Sequence, residues 1–104
     1  MATRESIMWD YKAACGQAGE LEQVASNIKK MANDNLSRNL QDLSNYWQGS
    51  NAEAYLKKGT QLHTDMKATA KELEDIASAI RTIAKNIYDT ELKNIEIAER
   101  RTYQ

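Results

Sequence analysis

The chain contains no proline and no phenylalanine, and it has only four glycines and one cysteine among its 104 residues. Because proline interrupts helices and glycine weakens them, their scarcity favours helix over sheet. The single cysteine, Cys15, excludes a disulfide within the chain and leaves the redox compartment open. Charges nearly cancel to a net charge of −1. The charge balance therefore gives no reason to expect nucleic acid or an anionic membrane as a partner.

Long apolar runs are also missing. No stretch approaches the roughly 18 apolar residues that cross a bilayer, so we expect no stable membrane insertion. Residues 1–7 carry charges at Arg4 and Glu5 and lack the apolar segment of a Sec-type signal peptide. A chain of this length predicts one domain, residues 1–104.

The first half has helical periodicity and predicts a helix over about residues 3–46. Apolar or small residues recur at alternating steps of four and three, as in a helix with one face toward a partner: Ile7, Tyr11, Ala14, Ala18, Leu21, Ala25, Ile28 and Ala32. The stripe resumes one residue late, at Leu36, and continues through Leu40 and Leu43. A skip of one residue rotates the apolar face by about 100°. We therefore predict a local distortion near residues 33–35.

Gly16 and Gly19 fall inside this predicted helix, where each costs about 1 kcal/mol relative to alanine. Two interpretations stay open. Either the glycines allow a close helix crossing, or the first turns of the helix fray.

The second half predicts a helix over about residues 51–98, with a tail at residues 99–104 that we expect to fray. Ser50 and Glu53 match the capping box, in which the hydroxyl accepts from the amide three residues later. The a/d-type positions are Ala52, Tyr55, Gly59, Leu62, Met66, Thr69, Leu73, Ile76, Ile80, Ile83 and Ile87. We expect the unbroken stretch from Leu73 to Ile87 to be the hydrophobic centre of the molecule.

Both patterns lapse at an elbow over residues 47–50, where Gly49 can adopt the positive φ that ends a helix. The predicted fold is therefore an all-α antiparallel helix-turn-helix hairpin. A layer of two helices has no closed interior, so we expect self-association into a four-helix bundle. The predicted hairpin and dimer core comprises Leu21, Ile28, Leu36, Leu40, Leu43, Leu62, Met66, Leu73, Ile76, Ile80, Ile83 and Ile87.

A large aromatic, a one-residue spacer and a glycine stand at the midpoint of the chain, as Trp47-Gln48-Gly49. With the length of about one hundred residues and the helical pattern on both sides, this motif resembles the WXG family of small type VII secretion substrates, the early-secreted-antigen-like (ESAT-6-like) proteins. The resemblance covers nearly the whole chain. It implies a non-enzymatic protein that is made in the cytoplasm and secreted without a leader.

The resemblance also implies partners and a recognition motif. The partners are a second copy or a similar small helical protein, the secretion ATPase, and a larger co-secreted effector. Trp47 and Gly49 would form one part of the secretion motif. An alternative is that Trp47 only plugs the end of the bundle while Gly49 allows the turn.

The family's tail signal is a tyrosine followed four residues later by an acid, and no tyrosine here has that spacing. A looser form, an apolar residue followed four later by an acid, fits Ile87 with Glu91, which we predict as the second part of the motif. Two further pairs fit as well: Leu92 with Glu96, and Ile95 with Glu99. The departure favours the self-pairing members of the family over the heterodimeric ones.

Catalytic or metal-ligating groups are few. Cys15 and His63 fall on different helices and far apart in an antiparallel hairpin, so we predict no catalytic pair, no metal site and no cofactor. Trp9 and Tyr11 are predicted to pack either on the far end of the second helix or on a bundle partner. Trp9 lies off the main stripe, so exposure or an interface role is a further alternative for it. The rival function is that of a cytoplasmic chaperone-like adaptor, or an immunity-type partner of a larger helical effector.

Overall fold

The computed structural model describes residues 3–47 and 49–102, and side chains as far as residue 101. Helix α1 spans Arg4–Lys30, a π-helical segment spans Met31–Leu36, α2 spans Ser37–Tyr46 and α3 spans Ser50–Thr102. Over these residues the protein is all-helical, which confirms the predicted class. Long helical stretches on both sides of one turn are consistent with the predicted hairpin. The four-helix bundle stays a prediction.

Helix α1 begins with a reciprocal cap between Thr3 and Ser6. The Ser6 amide donates to the Thr3 hydroxyl at 3.1 Å, and the Thr3 amide donates to the Ser6 hydroxyl at 2.8 Å. The Ile7 amide then donates to the Thr3 carbonyl at 3.0 Å, the first bond of the helix. These bonds satisfy amides that a helix start otherwise leaves without partners.

The predicted distortion near residues 33–35 is confirmed by the π-helical segment. The backbone N–H of Ser37 donates to the carbonyl of Ala32, five residues earlier, and the Ser37 hydroxyl donates to the same oxygen at 3.1 Å. A turn closed at five residues absorbs one extra residue. Leu36 thereby returns to the side of the helix on which Ala32 is buried. Leu36 is half-buried there, whereas Asn35 is exposed.

Both ends of α3 differ from the prediction. The Glu53 amide donates to the Gly49 carbonyl at 3.1 Å, so Gly49 takes the N-cap position and Ser50 is the first helical residue. The predicted capping box, in which the Ser50 hydroxyl accepts that amide, is therefore wrong by one residue. At the other end α3 continues to Thr102 instead of fraying after residue 98. Residues 103–104 of the predicted tail lie outside the described residues.

The chain divides into two compact units, of which the first, the terminal unit, comprises Met1–Leu21 and Asp75–Gln104. Its two helical segments run antiparallel. Near the chain ends, the Arg4 guanidinium pairs with the Glu99 carboxylate through two hydrogen bonds, one of them 3.1 Å long. Further along, the rings of Tyr11 and Tyr88 lie 5.3 Å apart between centroids. The ion pair connects that end of α3 to the start of α1.

The second, the elbow unit, comprises Glu22–Glu74. Here too the helical segments run antiparallel: Lys29 forms an ion pair with Glu74, and Asn33 lies within hydrogen-bond distance of His63 at 3.2 Å. The closest approach is at Gly59. A Cβ placed there would lie 2.2 Å from a methyl carbon of Leu40. Gly59 therefore gives room for a leucine on the facing helix.

Gly16 and Gly19 do not serve a comparable crossing. Apart from the adjoining backbone of its own helix, no described atom lies within 4 Å of a Cβ built at Gly16, and at Gly19 the tip of the Arg81 side chain lies 3.9 Å away. Both glycines are helical within α1. The close crossing that the sequence suggested for this pair is absent at Gly16, and an ordinary contact takes its place at Gly19.

The buried apolar side chains are small, which changes the predicted core. Among the described residues they are Ile7, Ala18, Ala25, Ala32, Ala52, Ala70 and Ala77. Eight of the predicted core residues are half-buried: Leu21, Ile28, Leu36, Leu40, Leu43, Met66, Leu73 and Ile80. Alanines let two helix backbones come close, so the inner seam takes the small residues and the larger ones lie at its sides.

The other four predicted core residues, Leu62, Ile76, Ile83 and Ile87, are between 50% and 57% exposed. Their assignment to the hairpin's own seam, including Ile76, Ile83 and Ile87 at its hydrophobic centre, is wrong. The inner side of α3 instead passes through Ala70, Leu73, Ala77 and Ile80. The periodicity favoured the larger side chains as core residues. The facing helix instead covers smaller residues beside them, such as Ala77 next to Ile76. The place of the four residues in a dimer core stays a prediction.

Candidate functional site

The elbow holds the candidate site, and its backbone follows from Trp47 and Gly49. Helix α2 ends where the Trp47 amide donates to the Leu43 carbonyl at 2.8 Å. Trp47 itself is extended, with φ −116° and ψ 136°, and Gly49 has φ 110°. A side chain at that φ strains the backbone, which is why the turn needs glycine there. The change of direction thus lies in two residues of the motif, and Trp47 is the last residue before the turn.

Trp47 is half-exposed and its indole packs on one ring. Its exposed fraction is 52%, and its ring centroid lies 5.9 Å from that of Tyr55 at an interplanar angle of 61°. This edge-to-face arrangement suits aromatic quadrupoles. Tyr55 is itself 59% exposed, and Tyr46, directly before the tryptophan, is 84% exposed. The elbow therefore presents an aromatic surface, whose chemistry suits protein recognition.

Tyr55 was not predicted as a site residue, although the sequence contains a signal for it. It follows Trp47 by eight residues, just after the turn. In an antiparallel arrangement about residues 48–51, position 52 lies opposite Trp47, and Tyr55 follows one helical turn later, within reach of a large aromatic side chain. Tyr55 was assigned to the a/d stripe instead, because it precedes Leu62 by seven residues.

The predicted tail motif lies in the terminal unit at a shallow groove of about 100 Å³. Ile87 and Glu91 line this groove with Tyr11, Tyr88 and other residues of α1 and α3. Ile87 is half-exposed and Glu91 is half-buried, so the structure brings the two predicted residues to one surface feature. Their role as a signal stays a prediction.

The alternative tail pair Ile95 with Glu99 has a structural use instead. Hydrogen bonds from the Arg4 guanidinium lower the pKa of Glu99, and partial desolvation opposes that change. The same bonds raise the pKa of Arg4. The Glu99 carboxylate is therefore engaged within the chain. In the third pair, Leu92 is half-buried and Glu96 is exposed.

A cluster of polar side chains surrounds Tyr11 in the terminal unit. A hydrogen bond with the Cys15 thiol raises the pKa of Tyr11, and the positive charges of Lys85 and Arg81 oppose that shift. Lys85 donates to Asp89 at 2.6 Å, a bond that raises the pKa of Lys85. Its ammonium also lies 5.5 Å from the centre of the Tyr88 ring. The cluster joins α1 to α3 through Tyr11 and Tyr88. Within α1, Tyr11 is the neighbour of the Cys15 thiol.

Trp9 and Tyr11 differ in their surroundings. Tyr11 packs on Tyr88 of α3, as one of the two predicted alternatives had it. Trp9 is 74% exposed, which agrees with the exposure allowed for it and not with packing on α3. It borders a wide surface depression of about 340 Å³ that Arg4, Glu5, Met8 and Lys12 also line.

Among residues 3–47 and 49–102, no group of three or more histidine, cysteine, aspartate or glutamate side chains is arranged to hold a metal ion. Over the same part of the chain, no helix combines the length and the apolar character that a bilayer span requires.

These features define a class: a small two-helix protein with a tryptophan and a glycine at the turn. Residues 6–92 match the family WXG100, described as proteins of 100 residues with WXG. The chain belongs to this family, whose members are small helical proteins typically secreted by type VII systems. No curated protein and no solved structure gave a significant match.

Proposed function

We propose that this protein is a non-enzymatic substrate of a type VII secretion system and acts through dimerisation and protein-protein recognition. The observation that carries the proposal is the state of Trp47 at the turn. Within the single chain Trp47 keeps about half of its surface, 52%, in solvent, so its indole is available to another protein. The positive φ of Gly49 fixes the backbone beside it. The pair therefore suits recognition by the secretion ATPase.

Dimerisation is supported by how little the chain buries. The side chains of less than one tenth exposure belong to Ile7 and to alanines, and Ile7 is the largest of them. Burial of a methyl group contributes far less than burial of a leucine or isoleucine side chain. A partner that covered the half-exposed isoleucines and leucines would supply the missing apolar burial.

The spacing of these residues supports a helical partner. Leu62, Thr69, Ile76 and Ile83 follow one another at intervals of seven along α3, and Tyr55 precedes Leu62 by the same interval. A repeat of seven is the pattern that keeps one side of a helix facing another helix along a left-handed supercoil. The apolar residues of this repeat are all at least half-exposed: Tyr55, Leu62, Ile76 and Ile83.

The exposed area fits the same proposal. The chain, of 11.8 kDa, exposes 8089 Å². Obligate homodimers bury about 2,000 Å² or more in total. Two copies of this chain have ample surface for such an interface. We therefore propose a second copy as the partner, and a similar small helical protein is the alternative outcome of the test.

Ile87 and Glu91 are proposed as the second recognition element. Both lie at one groove, and Ile87 is exposed enough to contact another protein. Substitution tests them better than truncation after Asn86, because truncation would also remove Tyr88 and Glu99, which contact Tyr11 and Arg4. Ile87→Ala with Glu91→Gln leaves those two contacts in place.

The test is secretion from a bacterium with the cognate system, compared with an isogenic strain that lacks the secretion ATPase. Wild-type protein should accumulate in the supernatant only when the ATPase is present. Trp47→Ala, and separately the Ile87→Ala and Glu91→Gln pair, should lower the secreted fraction. Helicity and oligomeric state should stay near wild type. Val24→Ala with Glu20→Gln changes an exposed apolar residue and an exposed acid four apart on α1. It is the matched control for the tail pair, and it should be secreted normally.

Two results would redirect the proposal. Retention of the wild-type protein in washed cells would refute secretion and favour the cytoplasmic adaptor. A monodisperse monomer at high micromolar concentration, seen by size exclusion with light scattering, would refute self-pairing and favour an unlike partner.

A further inference from the structure

Trp47 stands at a point of the backbone that does not by itself hold a side chain in place. Its φ and ψ are extended, and α2 has already ended at Tyr46. Within a helix the preceding turn restricts the side-chain rotamers, and a residue with extended φ and ψ is free of that restriction. A fixed orientation therefore has to come from a side-chain contact.

Tyr55 supplies such a contact. It lies in the second turn of α3, whose backbone is helical from Ser50 onward. The two rings meet edge to face, with centroids 5.9 Å apart and an angle of 61° between their planes. Such pairs add about 0.5–1.5 kcal/mol beyond burial alone. That range corresponds to a preference of roughly twofold to tenfold for the packed orientation over the others.

The contact leaves about half of each side chain accessible: Trp47 is 52% exposed and Tyr55 is 59% exposed. Trp47 is thus held while part of its surface stays free to meet another protein.

We propose that Tyr55 is a positioning residue: its ring holds the Trp47 indole in the half-exposed orientation that the secretion machinery recognises. The inference rests on the proposed function of Trp47. It assigns to Tyr55 no direct contact with the machinery, and it requires the aromatic ring but not the hydroxyl group.

The first measurement reads the orientation of Trp47 directly. The chain has two tryptophans, so Trp9→Phe leaves Trp47 as the sole indole. In that background, Tyr55→Ala should increase acrylamide quenching of Trp47 and lower its fluorescence anisotropy, whereas Tyr55→Phe should leave both near the parent values. Equal quenching and anisotropy in all three proteins would overturn the inference.

The second measurement reads secretion in the otherwise wild-type chain. Tyr55→Ala should lower the secreted fraction by roughly twofold to tenfold, which is the preference that the ring contact supplies. Tyr55→Phe should restore secretion. Because Tyr55 also belongs to the stripe proposed for dimerisation, helicity and oligomeric state are measured in parallel. A secretion defect that Tyr55→Phe does not rescue, or one explained by loss of the dimer, would refute positioning.

The two proposals fail in distinguishable ways. If Trp47→Ala is secreted normally, recognition of Trp47 fails, and Tyr55 has no function to support whatever the fluorescence shows. If Trp47→Ala blocks secretion but Tyr55→Ala does not, the proposed function stands and the positioning role is refuted. If both variants are defective and Tyr55→Phe is not, both proposals are supported.

Discussion

Replacement of Gly59 by alanine should destabilise the protein, although alanine is the better helix former. Within a helix the exchange alone is worth about 1 kcal/mol in favour of alanine. At Gly59, however, the new methyl group would lie 2.2 Å from one methyl carbon of Leu40, and 3.1 Å from both its other methyl carbon and its Cγ. Leu40 would have to change rotamer or the helices would have to separate, which typically costs about 1–3 kcal/mol. We expect a net loss of about 1 kcal/mol.

Gly16→Ala is the matched control, because it makes the same chemical change inside α1 where, apart from the adjoining backbone of its own helix, no described atom lies within 4 Å of the new methyl group. It should stabilise the protein by about 1 kcal/mol. Urea unfolding followed by circular dichroism, at one fixed protein concentration, compares the two variants.

A second background isolates the steric contact. In a Leu40→Ala protein the methyl group at position 59 has room, so Gly59→Ala should there become stabilising by about 1 kcal/mol. If Gly59→Ala stabilises the wild-type chain as much as Gly16→Ala does, the two helices are not in close contact at this level and the reasoning is refuted.

Three further predictions follow from single residues. Gly49→Ala should cost about 1–2 kcal/mol in urea unfolding, because alanine is strained at φ 110° although its methyl group would meet no neighbouring side chain. An unchanged midpoint would contradict the turn geometry. Ile7→Ala should cost about 2–5 kcal/mol, since Ile7 is 2% exposed, whereas Ile83→Ala should cost less than about 1 kcal/mol in a sample dilute enough to be monomeric; equal losses would refute this burial pattern. In an NMR titration the pKa of Glu99 should lie below its ordinary value and return to it in Arg4→Gln. Because the folded-state pKa of Glu99 is the lower one, the stabilisation from this ion pair is complete above the unfolded-state pKa and is lost as pH falls through the folded-state pKa. If Glu99 titrates identically in the wild type and in Arg4→Gln, the pair does not form in solution.

The distortion in the first half was predictable because it follows from counting. The stripe that includes Ala32 resumes at Leu36 instead of one residue earlier, and a helix can keep one face inward across such a skip only by adding a residue to one turn. The π-helical segment Met31–Leu36 does this. The Trp47 to Gly49 elbow was predictable for a similar reason, since glycine at a lapse of two periodic patterns has few other uses.

The inner face of α3 was not predictable in the same way, because the helix is apolar over a wide angle. Ile76 and Ala77 are neighbours, and each belongs to a stripe of correct period. A prediction from sequence selects the isoleucine as the buried residue because of its larger apolar area. In the structure the facing helix covers the alanine. The choice depends on how closely the helices approach, which is a property of the packed pair and not of either pattern alone.

The contact of Tyr55 with Trp47 depends on the register of the two segments, and the sequence gives that register only through the length of the turn. The cap at Gly49 instead of Ser50 moves the start of α3 by one residue. Such a shift turns the first side chains by about 100°. Ring contacts at an elbow are therefore sensitive to a detail that propensities do not resolve.

The small inner residues and the large outer ones have one physical consequence in common. Alanines at positions such as Ala70 and Ala77 bring the helices close, but a close pair of helices cannot enclose the longer side chains beside them. Ile76 and Ile83 are thereby left half-exposed on the side of α3 next to the seam. Larger residues at the alanine positions would separate the helices and lower the exposure of the isoleucines, at the expense of the surface proposed for a partner. Close approach of the helices and exposure of the isoleucines are therefore coupled in this fold.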